Sequence, residues 1–254
     1  MNFLETILAH KRDEVAAKKR KILRVQLEDM PKFSYRRLSL ISALQDRHLA
    51  IIGEIRRTEP SRKELRKDFE PLALAREYLK VGASALSVLT DYKFFQGHID
   101  NIDRIRHFVS VPILRRDYVI DTFQLYETKA CGADAVLLIA AALDPYMLHD
   151  LFLEARELGL ECLVEVHNEE EIESLSFEIV SLVGINNRDL MTFEADLTTT
   201  FRLKKYIPPH VQVVSEGGIE FHKDIEQLIK HGVHAVMVGE NFVMAESPGK
   251  ELAK

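Results

Sequence analysis

The sequence predicts an α/β fold, a (β/α)8 barrel (TIM barrel) with an N-terminal helical extension. Three observations predict it. From Leu49 onward, eight short apolar runs alternate with amphipathic helical stretches. The runs lack the in-and-out alternation of a half-exposed strand, as strands buried on both faces of a parallel sheet do. A shared pattern, Gly82-Ala83-Ser84-Ala85-Leu86, Gly132-Ala133-Asp134-Ala135-Val136 and Gly232-Val233-His234-Ala235-Val236, opens three of the runs. Each reads as a helix ended by a left-handed glycine and a tight turn into the next strand.

Residues 1–48 form the extension, and 49–254 the barrel of a single domain. Phe3, Leu4, Ile7 and Leu8 place apolar side chains at helical spacing. Lys11, Arg12, Lys18, Lys19, Arg20 and Lys21 follow, broken by Asp13 and Glu14. That stretch is expected to be a solvated helix face rather than a polyanion site. Residues 34–44 predict a second short helix, with Ser34 or Ser39 as its cap. The strands are then expected at 50–55, 85–89, 112–114, 135–139, 162–166, 180–185, 211–214 and 235–238, each followed by a helix. An open doubly wound sheet is the competing fold. It often carries a glycine-rich G-x-G-x-x-G loop after its first strand, whereas here that strand runs out through Gly53-Glu54-Ile55-Arg56-Arg57.

Composition narrows the function. The chain has 254 residues, 34 Lys and Arg against 40 Asp and Glu, and a formal net charge of -6. A mildly acidic chain is not expected to bind nucleic acid, which favours a basic face. No apolar run approaches the ~20 residues that span a bilayer. The N-terminus lacks a signal-peptide core, so a cytoplasmic protein is expected. Cys131 and Cys162 are too few for a disulfide framework or zinc cage and read as small buried residues. No metal-ligand spacing, P-loop or G-x-S-x-G motif occurs, so neither metal nor organic cofactor is expected.

In such barrels the chemistry sits at the C-terminal strand ends. Those ends carry Glu54 and Arg56; Thr90 and Asp91; Arg115, Arg116 and Asp117; Glu165 and His167; Asn186, Asn187 and Arg188; Ser215 and Glu216; and Gly239 and Glu240. Glu54 and Glu165 stand out, because a carboxylate inside an apolar strand is costly unless paired or functional. A structural ion pair, Glu54 with Arg116, is the plainer reading of the same residues. Glycines after the last two strands, Gly217-Gly218 and Gly239, suit a phosphate site, where bare backbone N–H groups approach an anion. His167 reads as a hydrogen-bonded surface residue. Phe94-Phe95 reads as packing, or as a flank for a flat aromatic ligand.

These residues resemble the indole-3-glycerol phosphate synthase family along most of the chain. The resemblance lies in segments 53–61, 86–97 (LSVLTDYKFFQG), 112–121 (PILRRDYVID), 132–139 (GADAVLLI), 162–167 (CLVEVH), 184–193 (GINNRDLMTF), 215–219 and 238–240. It implies ring closure of 1-(2-carboxyphenylamino)-1-deoxyribulose 5-phosphate with loss of CO2 and water, without a cofactor. It also implies that the extension lies over the barrel mouth. By motif position, Glu54, Arg56, Arg116 and Glu165 fall at catalytic positions, and Phe95, Tyr118, Asn186 and Arg188 at substrate-binding ones. Ser61, Gly217, Gly218, Gly239 and Glu240 fall in the phosphate loops.

The family carries lysines where this chain has Arg56 and Arg116, and the second is its general acid. Arginine is always protonated, so it stabilises an oxyanion but transfers a proton poorly. Glu59-Pro60-Ser61 stands where Ser-Pro-Ser is usual, and Glu59 is expected to turn outward or pair with Arg62 or Lys63. Three readings stay open: a synthase adapted to arginine, a paralogue acting on another anionic phosphosugar-like substrate, and a non-catalytic phosphate-binding barrel. A monomer acting on a small phosphorylated substrate is expected.

Overall fold

Eight parallel strands pair in chain order and the last pairs with the first, closing a barrel. A computed structural model describes residues 2–45, 48–58, 69–189, 192 and 194–239. The strands are β1 (Ala50–Ile55), β2 (Ala85–Leu89), β3 (Ile113–Arg116), β4 (Ala135–Ile139), β5 (Glu161–Val166), β6 (Leu182–Asn186), β7 (Gln212–Glu216) and β8 (Ala235–Val238). The extension contributes helices α1 (Phe3–Lys19), α2 (Arg24–Glu28) and α3 (Leu40–Leu44). Between the strands run α4 (Pro71–Lys80), α5 (Asp100–Arg106), α6 (Thr122–Ala130), α7 (Pro145–Glu157), α8 (Glu169–Glu173), α9 (Thr198–Leu203) and α10 (His222–Lys230). The helix expected after β8 lies outside the described residues, as do Glu59, Ser61, Arg62, Lys63 and Glu240.

The expected strands match β1, β2, β4 and β8, and elsewhere differ by one or two residues at an end. The difference has a cause. β3, β6 and β7 run on past their apolar residues to Arg116, Asn186 and Glu216, so hydropathy ends before the hydrogen-bond ladder does. Gly82, Gly132 and Gly232 hold φ of 90°, 93° and 69°. These are the left-handed turns that the repeated pattern predicts.

The barrel interior narrows to small side chains at its base. Ala50, Ala85, Ala135 and Ala235 each open a strand, and Leu40 and Leu44 of α3 pack among them, fully buried. The extension thus fills a gap the barrel leaves at its own floor, at about 1.5–3 kcal/mol per leucine. Ser39 caps α3, and its hydroxyl donates to Glu161 Oε1 at 2.7 Å. The N–H of Ile41 donates to Glu161 Oε2 at 2.8 Å, and that of Leu38 to Asp134 Oδ1 at 2.8 Å. The helix expected over 34–44 is therefore confined to α3. Pro31–Ser34 forms a separate 3-10 turn, in which Phe33 stacks on Tyr126 of α6 at 6.0 Å.

At the other end, α1 lies over the barrel mouth. Its first turn is closed by Asn2 and Glu5, whose side chains each accept the other's backbone N–H. The basic stretch departs from expectation. Arg12, Arg20 and Lys21 are exposed, but Lys11 is 1% exposed. Its ammonium lies 2.8 Å from Asp91, 3.0 Å from Asp117 and 2.9 Å from Glu14. Lys18 pairs with Glu127 at 3.1 Å and Lys19 with Asp121 at 2.8 Å, both along α6. The charges on this face meet carboxylates of the barrel wall, which no local pattern in the extension encodes.

Burial opposes the Lys11 charge, yet Asp117 and Asp91 raise its pKa well above 10.5. The stabilisation is fully present below the ordinary lysine value and is lost as pH rises through the higher folded one. Lys11→Met keeps the volume, removes the cation beside buried Asp91 and leaves Asp117 to Arg115. Removing one member of a buried pair costs about 3–5 kcal/mol, and here the cost falls on the docking of α1. Limited proteolysis is expected to cut within α1 in the variant long before the barrel is attacked. Equal resistance of both proteins would refute this.

Candidate active site

Strand geometry sorts the polar strand ends into two faces. Side chains alternate across a strand, so Glu54, Arg116, Glu165, Asn186 and Glu216 point into the barrel with the apolar residues two positions earlier. Arg115 points outward. It is buried between β3 and α6, donating to Asp117 at 2.9 Å, to the carbonyl of Gln124 at 2.9 Å and to Thr128 at 3.1 Å. Asn187 also points out. Its amide donates to Ser215 Oγ at 3.0 Å and to the Gly217 carbonyl at 2.9 Å, which fixes the loop after β7.

The inward set meets on one guanidinium. Arg116 Nε lies 3.2 Å from Glu54 Oε1, Nη2 lies 2.9 Å from Glu165 Oε2, and Nη1 lies 2.5 Å from Glu216 Oε2. Arg56 adds a second cation, with Nη1 3.1 Å from Glu54 Oε2. The ion pair expected between Glu54 and Arg116 is thus one arm of a larger cluster. Burial opposes the Arg116 charge, but Glu216, Glu165 and Glu54 raise its pKa well above the ordinary arginine value. This side chain donates hydrogen bonds and keeps its proton. Glu165 is held below the usual carboxylate range: burial opposes its charge, and Arg116 and then His167 overcome that. Glu216 moves the other way, raised by burial against the pull of Arg116, with Glu165 adding to the rise. Two carboxyls on one arginine are therefore set apart, one held ionised and the other inclined to keep its proton.

Two glycines make room for this cluster. A Cβ on Gly184 would lie 2.1 Å from Glu216 Oε1, and one on Gly239 2.6 Å from Glu54 Oε2. Gly217 and Gly218 instead hold positive φ of 75° and 71° in the loop after β7.

Above the cluster opens a cavity of about 300 Å³, within the size range of small-molecule sites. All the expected site residues that are described line it: Glu54, Arg56, Phe95, Arg116, Tyr118, Glu165, Asn186, Arg188, Gly217, Gly218 and Gly239. Phe3, Leu4 and Ile7 of α1 close one side. Phe95 and Tyr118 stack at 6.1 Å and 26°, next to the buried Ile7 and Leu89. Asn186 donates to Glu165 Oε1 at 3.3 Å and accepts the Arg188 N–H at 3.0 Å. Among the described residues no group of His, Cys, Asp and Glu is arranged to hold a metal ion. No helix among them is long and apolar enough to cross a membrane.

Two residues escaped the sequence reading. Glu216 carries the signal that singled out Glu54 and Glu165, a carboxylate two positions beyond an inward valine, but was not selected. His167 is no surface residue: its side chain is 9% exposed, with Nε2 3.2 Å from Glu165 Oε1.

A parallel barrel with paired carboxylates, fixed cations and an aromatic wall at its mouth defines an acid–base enzyme of a small anionic substrate. The comparisons carry this further. The family model for indole-3-glycerol phosphate synthase matches residues 4–254. An indole-3-glycerol phosphate synthase of Salinibacter ruber is 41% identical over 256 residues, covering 100% of this chain and 95% of its own. One from Burkholderia ambifaria is 41% identical over 263 residues, covering 100% and 98%. The chain belongs to the indole-3-glycerol phosphate synthase family. The crystal structure of 3-hexulose-6-phosphate synthase from Salmonella typhimurium superposes with a TM-score of 0.64 at 13% identity, covering 80% of this chain and 94% of that one, which shows the shared barrel.

Gly184→Ala tests the packing of the cluster. The added Cβ must displace Glu216 from Arg116, an overpacking expected to cost about 1–3 kcal/mol. Denaturant unfolding should show that loss. Unchanged stability would mean that Glu216 has room elsewhere.

Proposed function

We propose that this chain closes the indole ring of 1-(2-carboxyphenylamino)-1-deoxyribulose 5-phosphate, releasing CO2 and water to give indole-3-glycerol phosphate. The observation that carries the reading is the Arg116 guanidinium gripped by three carboxylates beneath an aromatic-lined mouth. The substrate's ring rests against Phe95 and Tyr118, and its phosphate meets the backbone at Gly217, Gly218 and Gly239.

In the first step the ring carbon bearing the carboxylate attacks the sugar carbonyl, and the carbonyl π pair moves to oxygen. Arg116, with Arg56 beside it, stabilises that charge as a fixed donor. Glu216, the carboxyl held above its ordinary range, supplies the proton that arginine cannot. The C–CO2 bond then breaks and its electron pair restores the aromatic ring. In the last step Glu165, held ionised, takes the proton from the adjacent former sugar carbon, and the new hydroxyl leaves as water with a second proton delivered by Glu216, which solvent has recharged after the first step. Glu54 orients both arginines. The reading of a paralogue acting on a different anion is disfavoured by the family match over residues 4–254 and by synthases 41% identical along the whole chain.

The whole chain acts as one unit of extension and barrel, since residues 3–44 both line the cavity and fill the barrel floor. A cytoplasmic monomer completes the reading.

Two measurements test it. Indoleglycerol phosphate fluorescence is expected to report wild-type turnover well below an ordinary ~10 s⁻¹. Arg116→Lys is expected to raise it, more so with Arg56→Lys, recovering part of the ~10²–10⁴-fold that positioned acid catalysis supplies. A fast wild type slowed by Arg116→Lys would show a site rebuilt around arginine. Calorimetric titration with inorganic phosphate should show binding that Gly218→Ala weakens by about tenfold, equivalent to ~1.4 kcal/mol. The same affinity in both proteins would move the phosphate elsewhere.

A further inference from the structure

Beyond Val166 the chain builds a feature that none of the steps above uses. His167 follows β5 two residues after Glu165 and so returns to the face of the site. Asn168 then caps α8, accepting the Glu171 N–H at 2.9 Å. The Asn168 amide donates back to Glu171 Oε1 at 2.7 Å. The other oxygen, Oε2, accepts the His167 backbone N–H at 2.8 Å and lies 3.2 Å from the ring Nδ1. The opposite nitrogen, Nε2, lies 3.2 Å from Glu165 Oε1. The local turn that starts α8 thus fixes a histidine within ion-pair distance of a barrel carboxylate.

Each ring nitrogen lies 3.2 Å from a carboxylate oxygen, Nδ1 in a hydrogen bond to Glu171 and Nε2 as an ion-pair contact with Glu165 outside aligned hydrogen-bond geometry. A neutral imidazole has one N–H and one lone pair, and an ionised carboxylate only accepts. Both contacts are favourable at once only when both nitrogens carry hydrogen, in the imidazolium. We propose that His167 is a positioning residue of the acid–base site: clamped as an imidazolium between Glu165 and Glu171, it holds Glu165 as the carboxylate that accepts the proton in the dehydration step. This rests on the base role given to Glu165 above.

The surroundings agree. Among the described residues, the charged groups acting on the ring are Glu165 and Glu171, and Arg116 stands beyond Glu165. Burial works against the imidazolium, but the two carboxylates overcome it and push the histidine up to about 10. Glu165 Oε1 also accepts from Asn186 at 3.3 Å, and Oε2 pairs with Arg116 at 2.9 Å. Each of these contacts favours its charged form, against the repulsion of Glu216, which shares Arg116 with it. The sign follows. A base with a lowered pKa works down into the acid range and fails as pH falls through that pKa. Losing one of its cations raises the pKa, so failure then begins at higher pH.

The test combines a measurement on wild type with two variants. Side-chain ¹⁵N NMR, with the His167 signals assigned by their loss in His167→Gln, is expected to show both ring nitrogens protonated at pH 8. An ordinary histidine, near ~6.5, is neutral there. A singly protonated ring would overturn the proposal without any reference to turnover. The pH profile of kcat/KM is expected to have its acid limb moved upward by ~1–3 units in His167→Gln, the scale of removing an opposite charge at this distance. Glu171→Gln should move it in the same direction and by less. A histidine serving structure alone would lower the rate and leave the limb in place, which would also overturn the proposal. Should His167→Gln fail to fold, Glu171→Gln and the wild-type spectrum still decide. Imidazolium at pH 8 in an enzyme with no turnover would sink the reaction assigned above and leave the charge assignment standing.

Discussion

The mouth of this barrel depends on one cation. Glu54, Glu165 and Glu216 come from β1, β5 and β7 and converge on the Arg116 guanidinium. Three carboxylates brought this close out of water repel one another, and each loses hydration. A planar guanidinium with nitrogens on three sides answers all of them at once. The surrounding backbone is shaped to permit it, since Gly184 and Gly239 leave unfilled the space the carboxylates occupy. An ammonium would address the same groups as a point charge with three donors. Holding this cluster and moving a proton are therefore different demands on residue 116.

The four-residue strand β3 carries two charge networks, one on each face. Arg116 serves the inner one. Arg115, with Asp117 just beyond the strand, anchors the outer one, which continues through Lys11 to Asp91 and Glu14 of the mouth helix and through Glu127 to Lys18. Burial opposes the Asp117 charge, but Lys11 and Arg115 hold its pKa far below the ordinary range. Neighbouring residues of one strand thus join the inner cluster to the helix that covers it.

Much of this was legible in the sequence, and what was not has physical reasons. The barrel showed because strands buried on both faces leave continuous apolar runs, and because glycines punctuate the return turns. The inward carboxylates Glu54 and Glu165 showed because charge inside an apolar run is conspicuous. Glu216 was obscured by Ser215 before it and the glycines after it, which drew the reading toward anion binding. Lys11 read as one of several solvated lysines, since its partners lie some eighty and a hundred positions away and burial is not a local property. His167 took its meaning from Asn168 and Glu171, whose hydrogen bonds belong to the start of a helix only five residues long.

The path of the extension has a consequence for how the chain comes to be. Its helix α3 enters a floor bounded by Ala50, Ala85, Ala135 and Ala235, and the carbonyl of Ile41 accepts a hydrogen bond from Gln212 at 3.2 Å. None of that receptor exists until the eighth strand has been made and has closed on the first. During synthesis, the extension leaves the ribosome before any strand of the barrel and is therefore among the last segments to reach its place. Leu40 and Leu44 spend that interval in water, exposed to whatever else in the cell takes up apolar side chains. The extension fastens the barrel from above and below, and it does so only once there is a barrel to fasten.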